Sequence, residues 1–170
     1  MPVSLEAIKA LREETGASIN DVRKALEAAQ GDLKKAKTLL REQGALMASK
    51  RQDRATGQGR IEAYIHHDGR LGACVEVLCE TDFVARTPDF VQFCKDVAMH
   101  VAAMAPKYVQ PSDAPTDDPD APCLLAQPFV KDASQTVGDL LKALIAKTGE
   151  NVVIRRFTRF VVGESTNHCA

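Results

Sequence analysis

The run Ala73-Cys-Val-Glu-Val-Leu-Cys-Glu-Thr-Asp-Phe-Val-Ala-Arg-Thr-Pro88 decides how the rest of the chain is read. Its first half alternates. Ala73, Val75 and Val77 point to one face and Cys74, Glu76 and Leu78 to the other, which predicts a strand with one buried side. The alternation stops at Glu80, Thr81 and Asp82, which are turn and cap residues. Thr87 and Pro88 then open a helix, Thr as its N-cap and Pro at the first helical position. Phe83 therefore falls in a short connection between strand and helix. An aromatic in that place has two readings. It folds back as a hydrophobic staple on its own helix, the commoner outcome for a loop aromatic, or it is an anchor that enters a partner's pocket.

On the C-terminal side, a helix over Pro88–Met104 puts Phe90, Phe93, Val97, Val101 and Met104 on one stripe, which reads as core. Pro106 ends it. Prolines at 106, 111, 115, 119, 122 and 128, with Asp113, Asp117, Asp118 and Asp120, exclude a regular helix or central strand over 106–128. An extended, acidic, mobile connector is expected there. Thr136 caps a last helix, with Asp139 in the capping-box position and Leu140, Leu141, Leu144 and Ile145 on the buried side. Thr148 and Gly149 close it, and 151–162 is a long β-branched and aromatic strand. Arg155, Arg156 and Arg159 read as a solvated strand face in preference to a phosphate site.

On the N-terminal side, 60–66 and 71–79 flank Asp68-Gly69, a tight-turn signal for a hairpin. The adjacent His66 and His67 point to opposite faces and are badly placed to share a metal. Residues 1–44 read as three short helices. Ser4 caps the first, whose Leu5, Ile8 and Leu11 share a face, and Thr15-Gly16 stops it. Ser18 caps the second, with Asp21 three residues on and Val22, Ala25, Leu26 and Ala29 inside. Gly31 closes it. Asp32 caps the third, whose Leu33, Ala36, Leu39 and Leu40 repeat until Gly44. Helices this short must pack on each other. The class is α+β: three N-terminal helices over 1–44, a linker over 45–59 that is polar and helical to 54 and flexible over 55–59, and a core domain over 60–170 in which an antiparallel three-stranded sheet packs with helices.

Composition narrows the function classes. The chain of 170 residues is 45% hydrophobic and 26% charged, as a globular protein is. A net charge of −1 gives no global case for nucleic acid, and the cluster Lys50, Arg51 and Arg54 is too short to make one. No apolar run spans a bilayer, the start Met-Pro-Val-Ser-Leu-Glu does not read as a signal peptide, and the cytosol is expected. Five cysteines without export are no disulfide framework, and Cys74 and Cys94 read as small buried hydrophobes. The spacing of Cys79, Cys94 and His100 fits no metal-ligand pattern. No phosphate-cradling glycine motif or nucleophile set appears, so neither an enzyme nor a bound cofactor is expected.

Residues 76–86 resemble the second signature of the elongation factor Ts family, and 11–26 resemble its other signature. Segments 127–132, with the helix after it, and 145–160 resemble the family too. The likeness thus covers nearly all the chain outside the proline-rich connector and the tail. It implies an exchange factor that acts on elongation factor Tu in its GDP-bound and nucleotide-free states. Thr81, Asp82, Phe83 and Val84 would be the segment that dislodges Mg²⁺ from that GTPase. The N-terminal helices would have the ubiquitin-associated fold and dock through Arg12, Ile19, Asn20 and Arg23. Three positions depart from the family: Leu78 stands for a usual Asn, Asn20 for an apolar residue and Arg23 for Lys. Longer members carry two core subdomains and a coiled-coil insertion; this chain has room for one core subdomain. The short members are homodimers joined sheet to sheet, and Phe157, Phe160, Val161 and Val162 supply apolar surface for that. Neither membrane nor direct nucleic-acid binding is implied. The rival reading is a binding module whose N-terminal helices capture ubiquitin-like or nascent-chain partners.

Overall fold

The computed structural model describes residues 3–116, 118 and 120–164. Asp117, Pro119 and Cys169 lie outside them. Two compact units result. One holds the described residues up to Arg54 together with Lys142–Asn151; the other holds Ala55–Leu141 and the described residues from Val152 onward.

The first unit opens with α1 (Leu5–Thr15), α2 (Ile19–Ala28) and α3 (Leu33–Arg51). Each starts at the cap its sequence supplies. Ser4 accepts the Ala7 N–H, Ser18 the Asp21 N–H, and Asp32 those of Lys34 and Lys35. Gly16 ends α1 at φ +67°, donating its N–H to Arg12 O, in the left-handed region where glycine is strained least. Leu11, Val22, Ala25, Leu26, Ala29, Ala36 and Leu40 form the core, with Ile8 and Leu39 packed against it. Leu5 does not join its face. It is 85% exposed: Ala7, two residues on and so about 200° round the helix, packs on the core instead. Nor does Gly44 stop the third helix, which continues unbroken to Arg51. An internal glycine costs a helix about 1 kcal/mol, and the helix formers that follow it outweigh that. Gly44 is buried, and a Cβ there would come within 3.3 Å of Ala146 Cβ.

The second unit is built on β1 (Gln58–Ile65), β2 (Leu71–Cys79) and β5 (Val152–Val161), an antiparallel sheet with β2 in the middle. The hairpin between β1 and β2 turns at His66 to Gly69, where Gly69 takes φ +69° and donates to His66 O. The helix α5 (Pro88–Met104) lies on one face. Ala73, Val75, Val77 and Cys79 of β2 and Val152 and Ile154 of β5 are buried beneath it with Phe90, Phe93, Val97 and Val101. Met104 drops out of that stripe at 42% exposed, because it is the last residue before Ala105 turns left-handed.

The described residues of 106–128 are not an extended connector. They fold back on themselves through the Tyr108–Cys123 bridge, with Lys107 donating to Pro122 O and Leu124 and Leu125 to Tyr108 O and Val109 O. Pro106, Ala121, Cys123 and Leu124 are buried. Proline removes donors but leaves carbonyls free to accept, and here the non-proline residues between them do the donating. A small hairpin follows, β3 (Pro128–Phe129) and β4 (Asp132–Thr136), and then α6 (Val137–Thr148). Thr136 and Asp139 form the expected reciprocal cap, each bonding the other's backbone N–H.

His100 is wholly buried on α5. Its Nδ1 accepts the Val130 N–H at 3.2 Å, so Nε2 carries the proton and donates to Gln127 Oε1 at 3.0 Å. Burial, partly offset by the Gln127 bond, holds the imidazole below its ordinary value of 6.5. The unfolded chain therefore takes up this proton first. The stability the neutral ring contributes is full above the unfolded value and is lost as pH falls through the folded one. Urea midpoints should drop between about pH 7.5 and about pH 5.5, and should drop less in His100→Leu, which starts lower. An equal slope in both chains would remove His100 as the cause.

Candidate functional site

The strand β2 delivers the chain to a turn that is a helix of its own. Residues Asp82–Ala85 form α4, a single turn packed against β1, β2 and α5. Thr81, extended at φ −125° and ψ 154°, is its N-cap, and Thr81 Oγ1 accepts the Val84 N–H at 3.4 Å. Buried Cys79 donates its thiol to Thr81 O at 3.1 Å. At the far end Val84 O accepts twice from Thr87, from the N–H at 3.0 Å and the hydroxyl at 2.8 Å. Ala85 is buried and Phe83 is 81% exposed. Two residues of helix turn a side chain through about 200°, so when Ala85 faces the sheet Phe83 faces away. The staple reading is thereby set aside: the ring does not fold back. Asp82 pairs with Arg86 at 3.0 Å, both largely exposed, a contact of about 0–1 kcal/mol in water.

In the first unit, Arg12 lies in the last turn of α1, and Ile19, Asn20 and Arg23 lie along the first turns of α2. All four are exposed, Ile19 at 55%. Ile19 and Arg23 stand four apart and share a helix face that flanks the buried stripe of Val22, Ala25 and Leu26. Arg23 Nε stands 3.7 Å from Glu27 Oε1 on the surface. A cleft of about 200 Å³ beside Arg12 and Ser18 is floored by Leu40 and Gly44.

No cluster of metal-ligating residues occurs among the described residues, and no helix among them is long and apolar enough to cross a membrane. Cys79, Cys94 and Cys123 are buried and Cys74 is half-buried. Burial pushes the Cys94 thiol up to about 12, which keeps it protonated and unreactive.

The sequence located the turn but missed what holds it. Thr87 was legible as the cap of α5, since Thr-Pro marks a helix start. Its bond back to Val84 O and the thiol bond from Cys79 to Thr81 O are local, but they match no helix-cap pattern that the sequence would announce.

The site is thus a bare aromatic held outward on a braced turn. Comparison with known proteins gives the kind of factor. The family model "Elongation factor TS" matches residues 4–120. Elongation factor Ts of Rubrobacter xylanophilus is 45% identical over 193 residues, covering 94% of this chain and 99% of that protein. Those of Thermotoga neapolitana (43% over 195 residues, 96% and 99% covered) and Coprothermobacter proteolyticus (42% over 197 residues, 96% and 100%) are similar to it as well. The chain belongs to the elongation factor Ts family, one of the families of translation elongation factors. The alignment of 193 residues with the Rubrobacter protein is longer than the whole 170-residue chain, so that relative carries residues this chain lacks.

Proposed function

We propose that the chain is the guanine nucleotide exchange factor of elongation factor Tu, working in the cytoplasm. The observation that carries this is Phe83, exposed on a turn braced at both ends. The ring enters an apolar gap of the GTPase, where its burial contributes about 1.5–3 kcal/mol. Asp82 leaves Arg86, at little cost, and hydrogen-bonds the partner to orient the ring. Thr81 and Val84 keep the turn in shape. The displacement in the GTPase spoils the octahedral shell of its Mg²⁺, which tolerates little distortion, and GDP loosens. No covalent bond changes. Linkage makes the effect mutual: nucleotide weakens the factor's hold by the same ratio, so cellular excess of GTP sets the direction. The N-terminal helices, as a ubiquitin-associated-type module, add affinity and register through Arg12, Ile19, Asn20 and Arg23. A pure binding module would leave the outward ring of Phe83 without a task.

The test is release of labelled GDP from elongation factor Tu with and without this chain. Acceleration at catalytic amounts is expected; an unchanged rate overturns the reading.

We further propose that the chain works as a homodimer, sheet against sheet. What supports this is the face of the sheet away from α5. Glu76 lies opposite Ile61 and Arg156, and Gly72 opposite Ile65 and Phe160, so these share that face. Ile61, Ile65, Phe160 and Val162 are 67%, 68%, 54% and 59% exposed. Phe157 pairs with Val75 and so lies on the covered side, and Val161 with it, contrary to the sequence expectation for both. Light scattering on a sizing column should give twice the chain mass, and Ile61→Lys with Phe160→Lys should halve it. A clean monomer of the unaltered chain at micromolar concentration would refute the dimer.

A further inference from the structure

We propose that Thr87 is a positioning residue for Phe83: its hydroxyl ties the turn that presents the ring to the start of the helix anchored in the core. The inference rests on the exchange reading above and adds a residue to it.

A single helical turn does not hold itself. Of the bonds that secure α4, Thr81 Oγ1 receives the Val84 N–H at a long 3.4 Å, and the Ala85 and Arg86 amides reach their carbonyls at 3.3 Å. Val84 O is held more closely, by the Thr87 N–H at 3.0 Å and, shorter still, by the Thr87 hydroxyl at 2.8 Å. Thr87 Oγ1 in turn accepts the Phe90 N–H at 3.3 Å. A hydroxyl has one proton to give and lone pairs to receive, and Thr87 uses both: it gives to α4 and receives from α5. Phe90 is wholly buried three residues further on. A chain of bonds thus runs from the core through Phe90 and Thr87 to Val84, the neighbour of Phe83. Load on the ring meets the packed helix instead of a yielding loop, and less ordering is left to do on contact.

The competing role is a cap for α5 and nothing more. The two separate chemically. Thr87→Asp keeps an acceptor for the Phe90 N–H, as a good N-cap, and the main-chain N–H bond to Val84 O, but has no side-chain proton for that carbonyl. Thr87→Ser keeps both. With elongation factor Tu·GDP saturated by each chain, Thr87→Asp should release GDP about 2- to 10-fold more slowly, the rate equivalent of one hydrogen bond. Its half-saturating concentration and melting temperature should stay near those of the unaltered chain. Thr87→Ser should restore the rate. In the free protein, the Val84 and Ala85 amides should exchange faster in the Asp variant and not in the Ser variant. A saturated rate for Thr87→Asp equal to the unaltered one overturns the inference, as does a Ser variant as slow as Asp. If Thr87→Asp melts early, amide exchange well below its melting point decides, and equal protection at Val84 and Ala85 in both variants overturns it. An unaltered chain that fails to speed release overturns the exchange reading, and this inference with it. Acceleration by that chain beside an unimpaired Thr87→Asp overturns this inference alone.

Discussion

Phe83→Ala slows saturated GDP release from elongation factor Tu by about 10- to 100-fold, the rate worth of the burial free energy of one aromatic ring. The melting temperature of the free chain does not fall. These two results belong together. Phe83 is 81% exposed and contributes no core packing, so its removal leaves no cavity. A core aromatic of the same size behaves oppositely. Phe90, wholly buried, would cost about 3–5 kcal/mol on truncation to alanine. Stopped-flow release of a fluorescent GDP and a thermal melt of the same preparation check both halves. An unchanged release rate removes the wedge; a fallen melting temperature shows that the ring is packed.

Gly59→Ala has a large expected effect on stability for the addition of one methyl group, about 2–4 kcal/mol, with a fall in melting temperature of roughly 10 °C. A Cβ on Gly59 would stand 2.2 Å from Val77 O and 2.8 Å from Leu78 Cα. Both are backbone atoms of the central strand, so neither can rotate away. The edge strand must shift from β2 at its last ladder positions, where Gly59 faces Leu78 and Gln58 faces Cys79. That is the stem of α4, so exchange should weaken with stability. Melting by circular dichroism with GDP release on the same sample tests this. Loss of stability with full exchange would show that the turn is held from α5 alone.

What could be read from the chain beforehand follows the range of the forces involved. Ser4, Ser18, Asp32, Thr87 and Thr136 cap helices through bonds two or three residues away, and each was visible in sequence. So was the hairpin at Asp68-Gly69. The strand alternation placed the buried side of β2 correctly because a period of two admits one answer once a face is covered. Leu5, Gly44 and 106–128 were misread for a common reason. Periodicity says that a residue could face inward, but whether anything stands there to receive it is decided elsewhere in the chain. The proline-rich segment shows this best: Lys107, Leu124 and Leu125 donate to carbonyls of Pro122, Tyr108 and Val109, far along the chain, a pairing with no local mark. At the candidate site, the sequence supplied the segment Thr81–Val84 by resemblance and left the direction of Phe83 undecided. The buried Ala85 resolves it.

The pairing of Asp82 with Arg86 also bears on how fast a partner is met. The tip that leads the approach is self-neutralised, and the chain as a whole carries a charge of only −1. Little long-range field is left to steer an encounter. Collision at this tip is then left to diffusion and shape, and dissolved salt, which slows attraction between opposite charges, has little at the tip itself to screen.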